Sequence, residues 1–202
     1  MTVGIINYGM GNLGSLKNAF DFLNYKNEIV EDYKKIKNYD SLILPGVGAF
    51  PKAISNLKKK NFLDEIKSHS IIKKKKILGI CLGMQILLSS SEEIKFTEGL
   101  DFISGQVKFL DLQKYSVPHV GWSQLKYISN SSLFKKIDKR EFYYFDHSYY
   151  FYPSPKKNII AEITYGKKLA AVISKNNIFG VQFHPEKSQL SGLKLLENFI
   201  KL

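Results

Sequence analysis

Three times in the first ninety residues an apolar run of strand length gives way to a glycine turn and then to helical spacing. Val3–Tyr8 leads into an amphipathic stretch at Leu13–Asn24, "YDSLILPGVGAF" into "AISNLKKKNFLDEI", and "KKKILGI" into "CLGMQILLSS"; "NEIVED" is a further strand. Such alternation needs crossover connections, so it predicts a parallel sheet covered by helices on both faces. After Gly99 the pattern changes to short strands separated by turn residues: "LDFISGQVKFL", "FYYFDHSYYFY", "NIIAEITYG", "LAAVISKN" and "NIFGVQFHPE". These read as antiparallel or mixed strands joined to the same sheet, and "SGLKLLENFIKL" reads as a closing helix. No linker is long or polar enough to force a division, so residues 1–202 are expected to form one domain.

Composition excludes several classes. Hydrophobic residues make up 44% of the chain, enough for a substantial core. No apolar run reaches the roughly 20 residues that span a bilayer, and no basic segment precedes the first run, so a cytoplasmic chain without membrane contact is expected. One cysteine and four histidines, scattered along the chain, give no metal-ligand spacing. The net charge of +12 raises the question of nucleic acid. The lysine runs lack interleaved aromatics, however, and Arg140 is the single arginine able to make bidentate contacts, so no nucleic-acid partner is expected.

The loop "NYGMGNLGS" places glycines at 9, 11 and 14 between a strand and a helix, with Glu31 and Asp32 further on. That is the outline of a dinucleotide-binding turn. It would leave the chain's most reactive segment without a role. In Gly79-Ile80-Cys81-Leu82-Gly83 a strand meets a helix at a single cysteine. A sharp strand-to-helix turn crowds neighbouring backbones, so small residues are needed two before and two after the nucleophile. The turn would lift the thiol to a helix N-terminus, which favours thiolate, and would aim the Leu82 amide at a developing oxyanion. The plainer alternative is a buried structural cysteine between turn glycines.

In "FGVQFHPEKS" an apolar strand is expected to end in His184, with Pro185 stiffening a turn that brings Glu186 to the imidazole. Cys81, His184 and Glu186 then read as nucleophile, base and orienting acid. Alone, His184 would read as a surface histidine in a turn. Pro45-Gly46-Val47-Gly48 follows a buried strand and leaves backbone amides free, a second source of oxyanion donors if it lies beside Cys81. Its glycines would let the Val47 peptide turn either its N–H or its C=O inward. Of the other histidines, His69 reads as exposed in a polar helical stretch, while His119 and His147 sit among aromatics as core or site residues.

Taken in order, "PGVGAF", "GICLGMQ" and "FGVQFHPEKS" resemble the class I, triad-type glutamine amidotransferases. "NYGMGNLGS", "PHVGW", "HSYYF" and "GLKLLENF" narrow the resemblance to the glutaminase subunits of imidazole glycerol phosphate synthases, and it runs from the first strand to the last helix. The resemblance implies a flavodoxin-like three-layer α/β/α sandwich with a mixed, mostly parallel sheet. It implies that Cys81, His184 and Glu186 are catalytic, that Gly46, Val47, Gly48 and Leu82 frame the oxyanion, and that Gln85, His147, Ser148 and Tyr149 hold L-glutamine. It further implies no cofactor and a heterodimer with a (β/α)8 barrel cyclase. That partner would receive ammonia and form imidazole glycerol phosphate and AICAR in histidine biosynthesis, with Asn12 and Lys187 facing it. The glycine loop at 9–14 then belongs to the first strand-helix turn and needs no pyrophosphate. Asp146 stands where the family usually has an apolar residue, and no glycine follows the paired Glu92 and Glu93. Paralogues that feed ammonia into bacterial surface-sugar synthesis, or a stand-alone cysteine hydrolase, are the alternatives.

Overall fold

The computed structural model describes residues 1–154 and 156–202. In chain order the first elements are β1 (Thr2–Ile6), α1 (Leu13–Phe22), β2 (Lys26–Val30), β3 (Ser41–Leu44), α2 (Phe50–Lys59), α3 (Phe62–Lys67), β4 (Lys76–Ile80) and α4 (Leu82–Ile86). They are followed by β5 (Ser90–Ser91), β6 (Thr97–Glu98), β7 (Gly105–Phe109), β8 (His119–Gln124), β9 (Lys126–Tyr127), β10 (Phe142–His147) and β11 (Tyr149–Pro153). The chain closes with β12 (Ile159–Tyr165), β13 (Lys167–Lys175), β14 (Ile178–Val181) and α5 (Gln189–Lys201). The main sheet has eight strands in the order β2-β1-β3-β4-β14-β13-β12-β9. Pairing is parallel from β2 through β14 and antiparallel from β13 outward.

The strands sort their side chains onto two cores by simple alternation. Val3 and Ile5 of β1, Ile43 of β3, and Leu78 and Ile80 of β4 pack with Leu16 and Phe20 of α1 and with Leu195 and Phe199 of α5. Leu42 and Leu44 of β3 and Ile77 of β4 face the other way, toward Phe50, Ala53 and Leu57 of α2 and Phe62 and Ile66 of α3. Central strands covered on both faces have no solvated side, which is why these segments read as unbroken apolar runs. Burying each large apolar side chain contributes about 1.5–3 kcal/mol, before conformational entropy is set against it. The three-layer α/β/α arrangement predicted above is therefore present. Among the described residues no helix is long and apolar enough to cross a membrane.

Four local expectations need correction. "AISNLKKKNFLDEI" forms two helices, because Asn61 takes a left-handed conformation at φ 58° and ends α2 before α3 begins. "FYYFDHSYYFY" is two strands in different sheets: β10 pairs with β8, while β11 pairs with β7 in a four-stranded sheet with β5 and β6. So the second half only partly joins the main sheet. The strand before His184 ends at Val181, and His184 begins a short 3-10 turn at Pro185–Lys187. His69 is buried at 1% exposure, its Nε2 lying 3.2 Å from the Tyr39 carbonyl oxygen; a contact 30 residues away in sequence overrides its polar surroundings.

Candidate active site

The site lies at the carboxyl ends of β3, β4 and β14, where a parallel sheet leaves its strand ends open. β4 stops at Ile80, and Cys81 turns the chain with φ 52° and ψ −112°, a conformation that L-residues rarely occupy. The turn is held by the Cys81 amide, which donates to Val181 of β14 at 2.8 Å. Crowding explains the glycines on either side. A Cβ on Gly79 would lie 2.6 Å from the Gly83 carbonyl oxygen, and one on Gly83 would overlap the Leu44 carbonyl. The expected spacing of small residues is thus imposed by packing. α4 is shorter than the sequence suggests, only five residues, so its dipole at Cys81 is correspondingly small.

Pro45–Gly48 lies directly beside this elbow. A Cβ at Gly46 would approach the Leu82 Cβ at 2.8 Å and the Gly83 nitrogen at 2.9 Å. The Tyr8 hydroxyl donates to the Pro45 carbonyl at 2.7 Å and fixes the start of the loop. Gly48 has φ +102°, and Val47 is 44% exposed at the mouth of the site. The glycine loop of the first turn also serves this region, since Gly11 is pressed against Pro45.

His184 reaches Cys81 from the other side. Its backbone is tied to β10 rather than to the main sheet: its amide donates to Tyr144 at 2.9 Å, and the Ser188 hydroxyl donates to its carbonyl at 2.6 Å. The His184 Nδ1 lies 2.9 Å from Glu186 Oε1, and the two side chains are only 3% and 1% exposed. Burial acts to lower the His184 pKa. Hydrogen bonds to Cys81 and Glu186, together with their negative charges, outweigh it and push the pKa up to about 10. Both partners favour the charged form of the imidazole, which faces the sulfur beside Glu186.

A cavity of about 340 Å³ opens over the sulfur. Val47, Gly48, Leu82 and Gln85 line it on the elbow side, and His147, Ser148 and Tyr149 line it from the β10–β11 corner. Gln85 is buried, and its amide nitrogen donates to the Tyr149 carbonyl at 3.3 Å and to Gln182 Oε1 at 3.1 Å. Asn12 and Lys187 lie outside this cavity. Asn12 precedes α1, which packs on the Pro185–Lys187 turn, and the Lys187 ammonium sits 5.4 Å from the centre of the Tyr144 ring.

Sequence reasoning missed three contributors. Gln182 donates from Nε2 to Cys81 Sγ at 3.6 Å, and it sits within "FGVQFHPE", two residues before the histidine that drew attention. Glu93 lines the cavity while its Oε2 accepts from the Phe50 amide at 2.7 Å, at the start of the helix that follows the glycine loop. Burial raises the Glu93 pKa, and that hydrogen bond opposes the rise. The Asp146 carbonyl lies 3.8 Å from the sulfur, so this residue enters the site through its backbone.

The family described as glutamine amidotransferase class-I matches residues 5–202. A relative from Caldanaerobacter subterraneus subsp. tengcongensis, "Imidazole glycerol phosphate synthase subunit HisH", is 48% identical over 197 residues, covering 98% of this chain and 96% of the relative. "Imidazole glycerol phosphate synthase subunit HisH 1" of Campylobacter jejuni is 43% identical over 201 residues, covering 99% of this chain and 100% of the relative. Among solved structures, PurLQS from Thermotoga maritima superposes with a TM-score of 0.77 at 20% identity, covering 99% of this chain and 97% of that one. A crystal structure described as a glutamine amidotransferase gives the same TM-score, 0.77, at 16% identity, covering 98% of this chain and 97% of that one. These two structural likenesses concern the fold.

Proposed function

The chain belongs to the class I glutamine amidotransferases and, within them, to the imidazole glycerol phosphate synthase subunits HisH, and from that premise we propose the following roles for its residues. It is a glutaminase subunit of histidine biosynthesis. The Cys81 thiolate attacks the side-chain carbonyl carbon of glutamine, forming a C–S bond and moving the carbonyl electron pair onto oxygen. The Leu82 amide and the backbone of Gly46, Val47 and Gly48 stabilise that oxyanion; one such donor is worth roughly 10²–10³-fold in rate. The His184 imidazolium gives its proton to the departing nitrogen, the C–N bond breaks, and ammonia leaves a γ-glutamyl thioester. Neutral His184 then takes a proton from water, whose oxygen attacks the thioester. Collapse releases glutamate and restores the thiolate. Glu186 holds the imidazole in register from its Nδ1 side.

Specificity follows from the cavity's charges and shape. Glu93 supplies a carboxylate for the substrate's α-ammonium, while Gln85 and the His147–Tyr149 corner fix the amino-acid end. The ammonia passes to a (β/α)8 barrel partner that docks on the face carrying Asn12 and Lys187. The whole chain acts as one cytoplasmic glutaminase domain.

The observation that carries this reading is the buried His184–Glu186 pair aimed at an elbow cysteine inside a cavity of amino-acid size. The test is glutamate release from glutamine by the chain alone, with the barrel partner, and with partner plus acceptor nucleotide. The expected result is a low rate alone and a strong rise in the full assembly, as partner contacts favour an N–H-inward Val47 peptide. Equal rates in all three would remove the coupling. A rise only with a barrel that does not make imidazole would move the chain to surface-sugar synthesis.

A further inference from the structure

The corner that would hold glutamine is fastened from behind by polar groups the reaction does not use. Ser123 Oγ lies 3.1 Å from His119 Nε2, and His119 Nδ1 lies 3.1 Å from His147 Nε2. His147 Nδ1 in turn lies 2.7 Å from the Tyr149 carbonyl oxygen. That last link reveals the direction of the others. A carbonyl only accepts, so His147 Nδ1 carries a proton, and in a neutral ring Nε2 is a lone pair. His119 must then donate from Nδ1, which leaves its Nε2 to accept from the Ser123 hydroxyl.

Both rings are buried, at 3% and 5% exposure. Burial disfavours the charged form of both rings and lowers the His147 pKa to about 4. The His119 ring is also clamped. Tyr165 stacks on it with centroids 4.0 Å apart, and Phe145 stacks with centroids 5.1 Å apart. The Tyr149 carbonyl at the end of the chain is shared with the Gln85 amide, which bonds Gln182, which donates to the sulfur.

We propose that His119 is a positioning residue: by donating from Nδ1 it locks His147 in the Nδ1–H tautomer and so fixes the Tyr149 carbonyl and the Gln85 amide at the glutamine cavity. With the other tautomer, a lone pair on His147 would face the carbonyl lone pairs across 2.7 Å, and the corner would have to move away. The proposal rests on the reading that this cavity binds glutamine.

The test compares His119→Leu, which removes the donor, with His119→Asn, which returns an N–H near the Nδ1 position. In the assembled synthase His119→Leu is expected to raise KM for glutamine by about five- to twentyfold, the scale of one buried hydrogen bond, with kcat little changed. His119→Asn should recover most of the loss. Long-range 1H–15N correlation spectra should show His147 protonated on Nδ1 in the wild type and on Nε2, or mixed, in His119→Leu. A wild-type His147 protonated on Nε2 overturns the proposal even where a variant fails to fold. So does an unchanged KM in His119→Leu, or an Asn variant as impaired as the Leu variant. Loss of the glutaminase reading itself would show separately, as a wild-type assembly that releases no glutamate.

Discussion

Gly83 packs so tightly against Leu44 that a Cβ on the glycine would overlap the leucine's carbonyl oxygen. The elbow that carries Cys81 is therefore seated on the end of β3, one residue before the loop that would bind the oxyanion. Strand, elbow and loop form one packed unit, so nucleophile and oxyanion donors are positioned together.

Gly83→Ala must push that unit apart. Overpacking of this kind commonly costs about 1–3 kcal/mol, and the elbow would move relative to Pro45–Gly48. Denaturant unfolding should show the loss, and glutaminase activity should fall with it. Gly14 in α1 is the control, because a Cβ there would meet nothing within 4 Å: Gly14→Ala should leave stability unchanged or slightly higher. Equal stability of wild type and Gly83→Ala would contradict the packing account.

Cys81→Ala should abolish glutamine hydrolysis while leaving the partner's reaction with free ammonium intact, because the barrel carries out that chemistry. A Cys81→Ala chain that releases glutamate at the wild-type rate would remove Cys81 from the mechanism.

The other two members of the triad should differ in rank. His184 moves a proton in both half-reactions, and losing such a group costs about 10²–10⁴-fold. Glu186 supports it from 2.9 Å without exchanging protons, so Glu186→Gln should cost less than His184→Ala. Steady-state kcat values on the assembled synthase check the order, and the reverse order would contradict the roles assigned.

Stability should peak near pH 6.5, for two separate reasons. Burial holds His69 and His147 at about 4 in the folded chain, against 6.5 when unfolded. Between those values the unfolded state binds more protons, so their contribution is full above 6.5 and is lost as pH falls toward 4. For each the loss is on the order of 3 kcal/mol. His184 behaves oppositely. Its pKa is opposed by burial but raised to about 10 by Cys81 and Glu186, so its contribution is full below 6.5 and is lost as pH rises toward 10. Thermal midpoints across this range should trace both limbs, and Cys81→Ala should flatten the alkaline limb while sparing the acid one. An alkaline limb identical in the variant would show that the sulfur does not hold the proton on His184.

Features set by neighbouring residues were legible in the sequence. The glycines around Cys81 answer to crowding within a five-residue turn, and Glu186 meets His184 across a single proline. The alternation of strands and helices declared a parallel sheet covered on both faces, because parallel neighbours need crossover connections. What depended on distant partners was not legible. His69 looks exposed until Tyr39 is placed beside it, and Glu93 looks like a loop residue until the start of α2 arrives at its carboxylate. The aromatic run around His147 gave no sign that Ser148 divides two sheets, or that His119, 28 residues earlier, would lie behind the corner.

The mechanism turns on covalent chemistry at one sulfur, and intact-protein mass spectrometry after acid quenching of the assembled synthase during glutamine turnover observes it directly. The expected result is a γ-glutamyl adduct that peptide mapping places on Cys81, absent in Cys81→Ala and accumulating when His184 is replaced by a residue that slows thioester hydrolysis more than attack. Steady glutamate release with no adduct under any of these conditions, or an adduct mapped to another residue, would contradict it.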